Sequence, residues 1–137
     1  EFDNQEADDP PITGTETILL VDDEDFIRDL GSKVLSRAGY KVITAANGRD
    51  AVEKYLSRKD EISLAIVDLI MPEMSGKQCL DELHKINPNL KVLVASGFSL
   101  DDPTKEALKT GCRGFIQKPY NIKEMLKIVR KVLDSDS

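Results

Sequence analysis

Carboxylates dominate the residues able to do chemistry. Asp22-Asp23 stand together with Glu24 and Asp25 behind them, and a single aspartate, Asp68, ends the apolar run Leu64-Ala-Ile-Val. Ser96 ends a second apolar run and Lys118-Pro119 follows a third. Each has an ordinary explanation alone: Asp25 as a helix N-cap, the acidic pair as a complement to a helix dipole, Lys118 as a solvated surface cation. Together they are not ordinary. A carboxylate at the end of a buried strand costs free energy unless ions or hydrogen bonds meet it, and three carboxylates at one edge raise one another's pKa unless a cation joins them. A hard divalent ion with oxygen ligands answers that need. Mg²⁺ takes one or two carboxylates, keeps several waters and uses substrate phosphate for the rest. Asp68 is therefore the candidate nucleophile.

The elements around these residues must bring them to one place. From Thr17 onward, short apolar runs alternate with helical periodicity five times. The expected strands are Thr17-Ile-Leu-Leu-Val21, Lys41-Val-Ile-Thr-Ala45, Leu64 to Val67, Leu90 to Ala95 and Gly114-Phe-Ile116. Between them fall helical stripes: Phe26, Ile27, Leu30, Val34 and Leu35, closed by Gly39; then Ala51, Val52, Tyr55 and Leu56 after Asn47-Gly48. Cys79, Leu80, Leu83 and Ile86 follow from near Ser75, and a further helix is expected from Asp101-Asp102-Pro103 to before Gly111. The last helix opens at Asn121 with Glu124 as a capping-box pair and carries Ile122, Met125, Leu126, Val129, Val132 and Leu133. Strands without polar alternation are covered on both faces, and such connections make neighbours parallel. The fold class is an open α/β sheet with helices on both sides, whose ligands bind beyond the carboxyl ends of the strands. Every chemical residue above follows a strand.

At 137 residues and 15.2 kDa there is room for one domain. The net charge of −6 comes from the front: residues 1–16 hold six acids and no Lys or Arg, and removing them from 25 acids leaves 19 against 19 bases. A chain neutral in its folded part has no basic face for nucleic acid. Residues 1–16, with Pro10-Pro11 and Gly14, read as a disordered acidic linker or tag ahead of a domain at 17–134. Cys79 and Cys112 sit in apolar segments, as small hydrophobes in a reducing compartment do. No run of about 18 apolar residues and no charged-then-apolar leader is present, so a cytoplasmic protein is expected.

Asp-Asp, strand-terminal Asp, strand-terminal Ser and Lys-Pro, in this order from about residue 17 to 133, resemble a response-regulator receiver domain. The resemblance implies a doubly wound, flavodoxin-like sheet of five parallel strands in the order 2-1-3-4-5. It implies Asp68 as phosphoacceptor, Asp22 and Asp23 as the acidic pair, Ser96 as the hydroxyl residue beside the phosphoryl group, Lys118 as the lysine before proline and Phe115 as the aromatic switch position. Metal ligands would be Asp23, Asp68 and the Ile70 backbone carbonyl, with Asp22 in the acidic pair, and the cofactor Mg²⁺. Pro119 would follow a cis bond.

The resemblance further implies attack of the Asp68 carboxylate on a donor phosphohistidine, giving an acyl phosphate. In this strand order the strands of Asp23 and Ser96 lie about 4.8 Å from that of Asp68 and the fifth about 10 Å away, a gap that a long lysine closes. Lys118 is expected near Asp68 beforehand and on a phosphoryl oxygen afterwards. Ser96 would move toward the new charge and Phe115 would turn into the space it leaves. Ile70 and Phe98, bulky and apolar where attacking water must pass, predict slow hydrolysis, and Gly97 leaves the donor room. No multiple-turnover enzyme is expected, only catalysis of the domain's own phosphorylation and slow dephosphorylation. The partners would be a histidine kinase or histidine phosphotransfer protein and a downstream effector or adjoining kinase domains, since the front linker and Ser96-Gly-Phe-Ser99 look similar to receivers at the end of hybrid histidine kinases. A homodimer through the fourth helix, fifth strand and last helix is possible from the apolar residues between Leu108 and Phe115.

Three other readings are weaker. A histidine phosphocarrier would be all-helical, and His84 stands alone. An aspartyl-nucleophile phosphatase of the haloacid-dehalogenase type would place Asp-x-Asp after its first strand, which Asp22-Asp23-Glu24 does not. An unphosphorylated pseudo-receiver would lack part of the acidic pair or the lysine.

Overall fold

The computed structural model describes residues 12–71, 73–97 and 111–135. Five strands, β1 (Thr17–Val21), β2 (Lys41–Ala45), β3 (Ile62–Asp68), β4 (Lys91–Ser96) and β5 (Gly114–Gln117), form one parallel sheet in the order β2-β1-β3-β4-β5. The described helices are α1 (Asp25–Arg37), α2 (Gly48–Arg58), α3 (Gly76–Ile86) and α4 (Ile122–Asp134). The helix expected from Asp101 lies outside the described residues.

Alternate residues of each strand feed two separate cores, as the pleat requires. Leu19, Val21, Ala65, Val67, Val92 and Val94 pack under α2 and α3 with Tyr55, Leu80 and Leu83. Ile18, Leu20, Leu64, Ile66, Leu93 and Ala95 pack under α1 and α4 with Leu35, Met125 and Val129. Burial of each large aliphatic side chain stabilises by about 1.5–3 kcal/mol, so covering both faces of the sheet is what holds the strand ends rigid.

The helix starts follow local chemistry. The Asn47 side chain accepts from Asp50 N at 2.8 Å, Asn121 from Glu124 N at 3.0 Å, and Ser75 with Gln78 forms a reciprocal capping box. Helix α1 differs from expectation. Its N-cap is Glu24, which makes no side-chain cap, while Asp25 lies in the first turn and pairs with Arg28. Gly39 ends the α1 connection at φ +105°, a left-handed conformation glycine adopts without strain.

Three residues counted in the helical stripes are exposed: Phe26 at 77%, Ile122 at 55% and Leu56 at 54%. Phe26 and Ile122 fall in the first turns of α1 and α4, ahead of Gly31 and Met125, where burial along each helix begins. Leu56 yields the inward place to its neighbour Tyr55, which is fully buried. Residues 12–16, placed by composition in the linker, are bonded to the folded part. Gly14 N donates to Ala38 O at 3.0 Å, Lys41 N to Glu16 O at 3.1 Å, and Arg130 to Thr13 O at 3.1 Å and Glu16 Oε2 at 2.7 Å. The Arg130 hydrogen bond holds the Glu16 carboxyl down at about 2. Both cysteines are free, Cys79 buried and Cys112 half-buried.

Candidate functional site

Strand register assembles the site. Val21 pairs with Val67, so Asp22, one step past β1, stands level with Asp68 at the end of β3. Asp68 pairs with Ala95, which puts Ser96 one step further out, and Ser96 pairs with Gln117 just before Lys118. Backbone bonds from Leu69 N to Ala95 O (2.8 Å), Asp22 N to Ala45 O (3.1 Å) and Lys118 N to Ser96 O (2.8 Å) carry the sheet's order past the strand ends. The Lys118–Pro119 bond is cis.

The loop after β3 is fixed by Gly76. Its N–H donates to Leu69 O at 2.8 Å, and a Cβ there would stand 2.5 Å from the Asp68 carbonyl oxygen and 2.6 Å from Leu69 Cα. Only glycine lets the start of α3 lie against the backbone that carries Asp68.

Asp22 is fully buried, Asp68 and Ser96 nearly so, and Asp23 exposed. One oxygen from each of Asp22, Asp23 and Asp68 lies within 4.8 Å of the others. Lys118 Nζ reaches 3.0 Å from Asp22 Oδ2, 3.4 Å from Asp68 Oδ2 and 3.4 Å from Glu24 Oε1. Burial, then the charge of Asp22, pushes the Asp68 carboxyl up to about 6, against the pull of Lys118. Burial also works against the ammonium of Lys118, but the hydrogen bond and charge of Asp22 and the charge of Asp68 outweigh it and hold its pKa above the ordinary lysine value.

These groups fit a hard divalent cation. The donors are carboxylate oxygens, two of them on buried residues, and Asp22 Oδ2 has no partner among the described residues besides the Lys118 ammonium 3.0 Å away. A single ammonium leaves the three acids short of neutral. Asp22, Asp23 and Asp68 thus offer the residues to hold Mg²⁺.

An open cavity of about 580 Å³ covers the cluster, lined by Asp23, Glu24, Ile27, Asp68, Ile70, Ser96, Gly97, Lys118 and Pro119. The sequence-derived residues Ser96, Ile70, Gly97 and Pro119 are therefore gathered around Asp68. Phe115 is half-buried, packed against the core under α2 and α3 and outside the cavity lining. Phe98 lies outside the described residues. Sequence reasoning gave no role at the site to Glu24, Ile27 or Arg28. Arg28 Nη1 donates to Asp22 O at 2.7 Å and its Nη2 to Asp25 Oδ1 at 2.5 Å, bracing the acidic turn. The signal for both Glu24 and Arg28 was proximity to the acidic pair at the head of α1. Tyr120, next after Pro119, is buried with a hydroxyl that has no hydrogen-bond partner among the described residues, and burial followed by the charges of Asp22 and Asp68 raises its pKa.

A family model described as the response regulator receiver domain matches residues 18–130. The chemotaxis protein CheY of Thermotoga maritima is 39% identical over 116 residues, covering 84% of this chain and 95% of that protein. The sensor kinase CckA of Brucella abortus is 34% identical over 123 residues, which are 90% of this chain and 13% of the kinase. Among solved structures, a chain in the CheX–CheY–BeF3–Mg²⁺ complex from Borrelia burgdorferi superposes with a TM-score of 0.82 at 28% identity, covering 96% of each chain.

Proposed function

The chain belongs to the response regulator receiver domain family, and from that premise we propose that Asp68 is the residue on which it takes up the phosphoryl group. The receiver function itself, accepting phosphate in two-component signalling, comes with the family; the aspartyl-phosphatase and pseudo-receiver readings are not favoured. The observation that carries the assignment is a carboxylate at the end of a buried strand, with Asp22 and Asp23 within 4.8 Å and Lys118 at 3.4 Å.

Asp22, Asp23 and Asp68, with the backbone carbonyl of Ile70, are the residues proposed to hold Mg²⁺. When bound, the ion supplies charge neutralisation for phosphoryl transfer, a reaction that needs alignment and electrostatics more than covalent help. The chain's own groups do the rest. An Asp68 oxygen forms a bond to phosphorus as the P–N bond of a phosphohistidine breaks, its electron pair returning to the imidazole nitrogen. Lys118 neutralises Asp68 before transfer and pairs with a phosphoryl oxygen after it. Ser96 donates to another oxygen, and its movement toward the site makes room for Phe115, so that the surface near β5 reports the phosphoryl charge. Ile70, exposed in the cavity lining, keeps attacking water out and gives a long-lived acyl phosphate.

Receiver domains act with histidine kinases or phosphotransfer proteins and with effectors. For this chain we propose a phosphohistidine donor, and a place beside kinase domains in a hybrid kinase, supported by the match to 13% of a sensor kinase. We further propose a homodimer through the helix expected after Asp101, which lies outside the described residues, β5 and the last helix.

The test is incubation with acetyl phosphate, with and without Mg²⁺, followed by intact mass. A single Mg²⁺-dependent phosphoryl adduct on the wild type, absent in Asp68→Asn, supports the proposal. Continuous release of phosphate with no adduct supports a phosphatase, and an unchanged mass a pseudo-receiver.

A further inference from the structure

Three carboxylates share Lys118, and the proposed reaction accounts for two of them. Asp22 joins the metal set and Asp68 becomes the acyl phosphate. Glu24, 3.4 Å from the ammonium, is left over. It stands at the N-cap of α1, where a glutamate side chain caps poorly, and makes no cap hydrogen bond. Its backbone is held instead, with Glu24 N donating to Asp22 Oδ1 at 2.9 Å and Glu24 O accepting from Arg28 N at 2.9 Å. The side chain is 62% exposed against 7% for Asp68. Both line the same cavity, and the difference in exposure sets Asp68 inside it and Glu24 toward its open mouth. Among the described lining residues the exposed acids are Asp23 and Glu24, and Asp23 belongs to the metal set.

In-line displacement sets nucleophile, phosphorus and leaving atom on one line, so a group leaving from phosphorus attacked by Asp68 departs toward the mouth. The charge that develops there depends on the donor. Phosphohistidine leaves as imidazole, with positive character on the ring before the P–N bond breaks. Phosphoramidate leaves as ammonia from a cationic nitrogen. Acetyl phosphate breaks its P–O bond and leaves as acetate, gaining a full negative charge. An exposed carboxylate at the mouth favours the first two and penalises the third.

We infer that Glu24 is a specificity-determining residue that selects donors with a nitrogen leaving group over those that leave as an anion. The inference rests on the assignment of Asp68 as acceptor. It makes Glu24 more than a prop for Lys118, because loss of a prop would slow every donor alike, whereas loss of a charge at the mouth separates donors by leaving-group charge.

The experiment measures second-order rate constants for adduct formation from acetyl phosphate and from phosphoramidate, with saturating Mg²⁺, in the wild type, Glu24→Gln and Glu24→Lys. Removing that charge should raise the acetyl phosphate to phosphoramidate ratio about three- to tenfold in Glu24→Gln. The ratio should rise further in Glu24→Lys, and about 1 M salt should compress the differences. An unchanged ratio, or equal changes with both donors, overturns the inference and leaves Asp68 in its role. Absence of any adduct with either donor in the wild type overturns both.

Discussion

At the scale of single residues, the site is a balance between desolvation and charge. Asp68 is held at about 6, well above the ordinary aspartate value, first by burial and then by Asp22. The folded state therefore binds its proton more tightly than the unfolded chain. The stability that proton gives is complete below about pH 4 and lost as pH rises through about 6. Ionised Asp68 then costs the fold about 2–3 kcal/mol at neutral pH without metal. Asp68→Asn should accordingly raise the melting temperature by about 5–10 °C at pH 7.5 in EDTA, with the gain vanishing near pH 4, as thermal melts across pH will show. An Asn variant no more stable than wild type at pH 7.5 would mean the crowding is relieved some other way. The gathering of Asp22, Asp23, Asp68, Ser96 and Lys118 at one edge was legible because each ends or follows a strand that the apolar pattern announces. The direction of a side chain was not. Glu24 read as one more acid ahead of a helix, and its contact with Lys118, 94 residues away, depends on rotamers that spacing does not encode.

At the scale of elements, the precision of the site comes from two junctions: the register of β1, β3 and β4, and the contact of α3 with the turn after β3. Gly76→Ala would press a methyl group to 2.5 Å from the Asp68 carbonyl oxygen and 2.6 Å from Leu69 Cα, backbone atoms that cannot turn aside as a flexible side chain would. We expect a loss of about 2–3 kcal/mol in urea unfolding and, because the same atoms carry Asp68, adduct formation slowed tenfold or more. A variant that phosphorylates at the wild-type rate would show that the junction does not position Asp68. The parallel sheet, the helix starts at Asn47, Ser75 and Asn121, and the two-faced core were readable from periodicity and caps, whereas the strand order followed from the family resemblance alone. The exposure of Phe26 and Ile122 was not, because a stripe counts apolar spacing along a helix and cannot tell where the sheet beneath it stops. The α1 cap went to Glu24 rather than Asp25 for a related reason: the turn is set by Arg28 and the Asp22 backbone, not by the best capping side chain.

At the scale of the whole molecule, the chain divides its charge. Its acid excess lies in residues 1–16, while the rest balances and concentrates acids and Lys118 at one edge. Composition placed all sixteen front residues together, but residues 12–16 are tied to α4 and to the α1–β2 connection, through Arg130 and Gly14. Backbone bonds of that kind leave no mark on composition. Arg130→Ala, which removes bonds to Thr13, Glu16, Tyr40 and Asp134, should cost about 1–2 kcal/mol and speed proteolysis ahead of Thr17, leaving phosphorylation of the remote site intact. Unchanged cleavage would mean the strap adds nothing. The account as a whole depends on where the phosphoryl group goes. Borohydride reduction after reaction with phosphodonor and Mg²⁺, followed by peptide mapping, reads that directly. We predict homoserine at position 68 and nowhere else; reduction at Asp22, Asp23 or Glu24, or at none of them, would contradict the account.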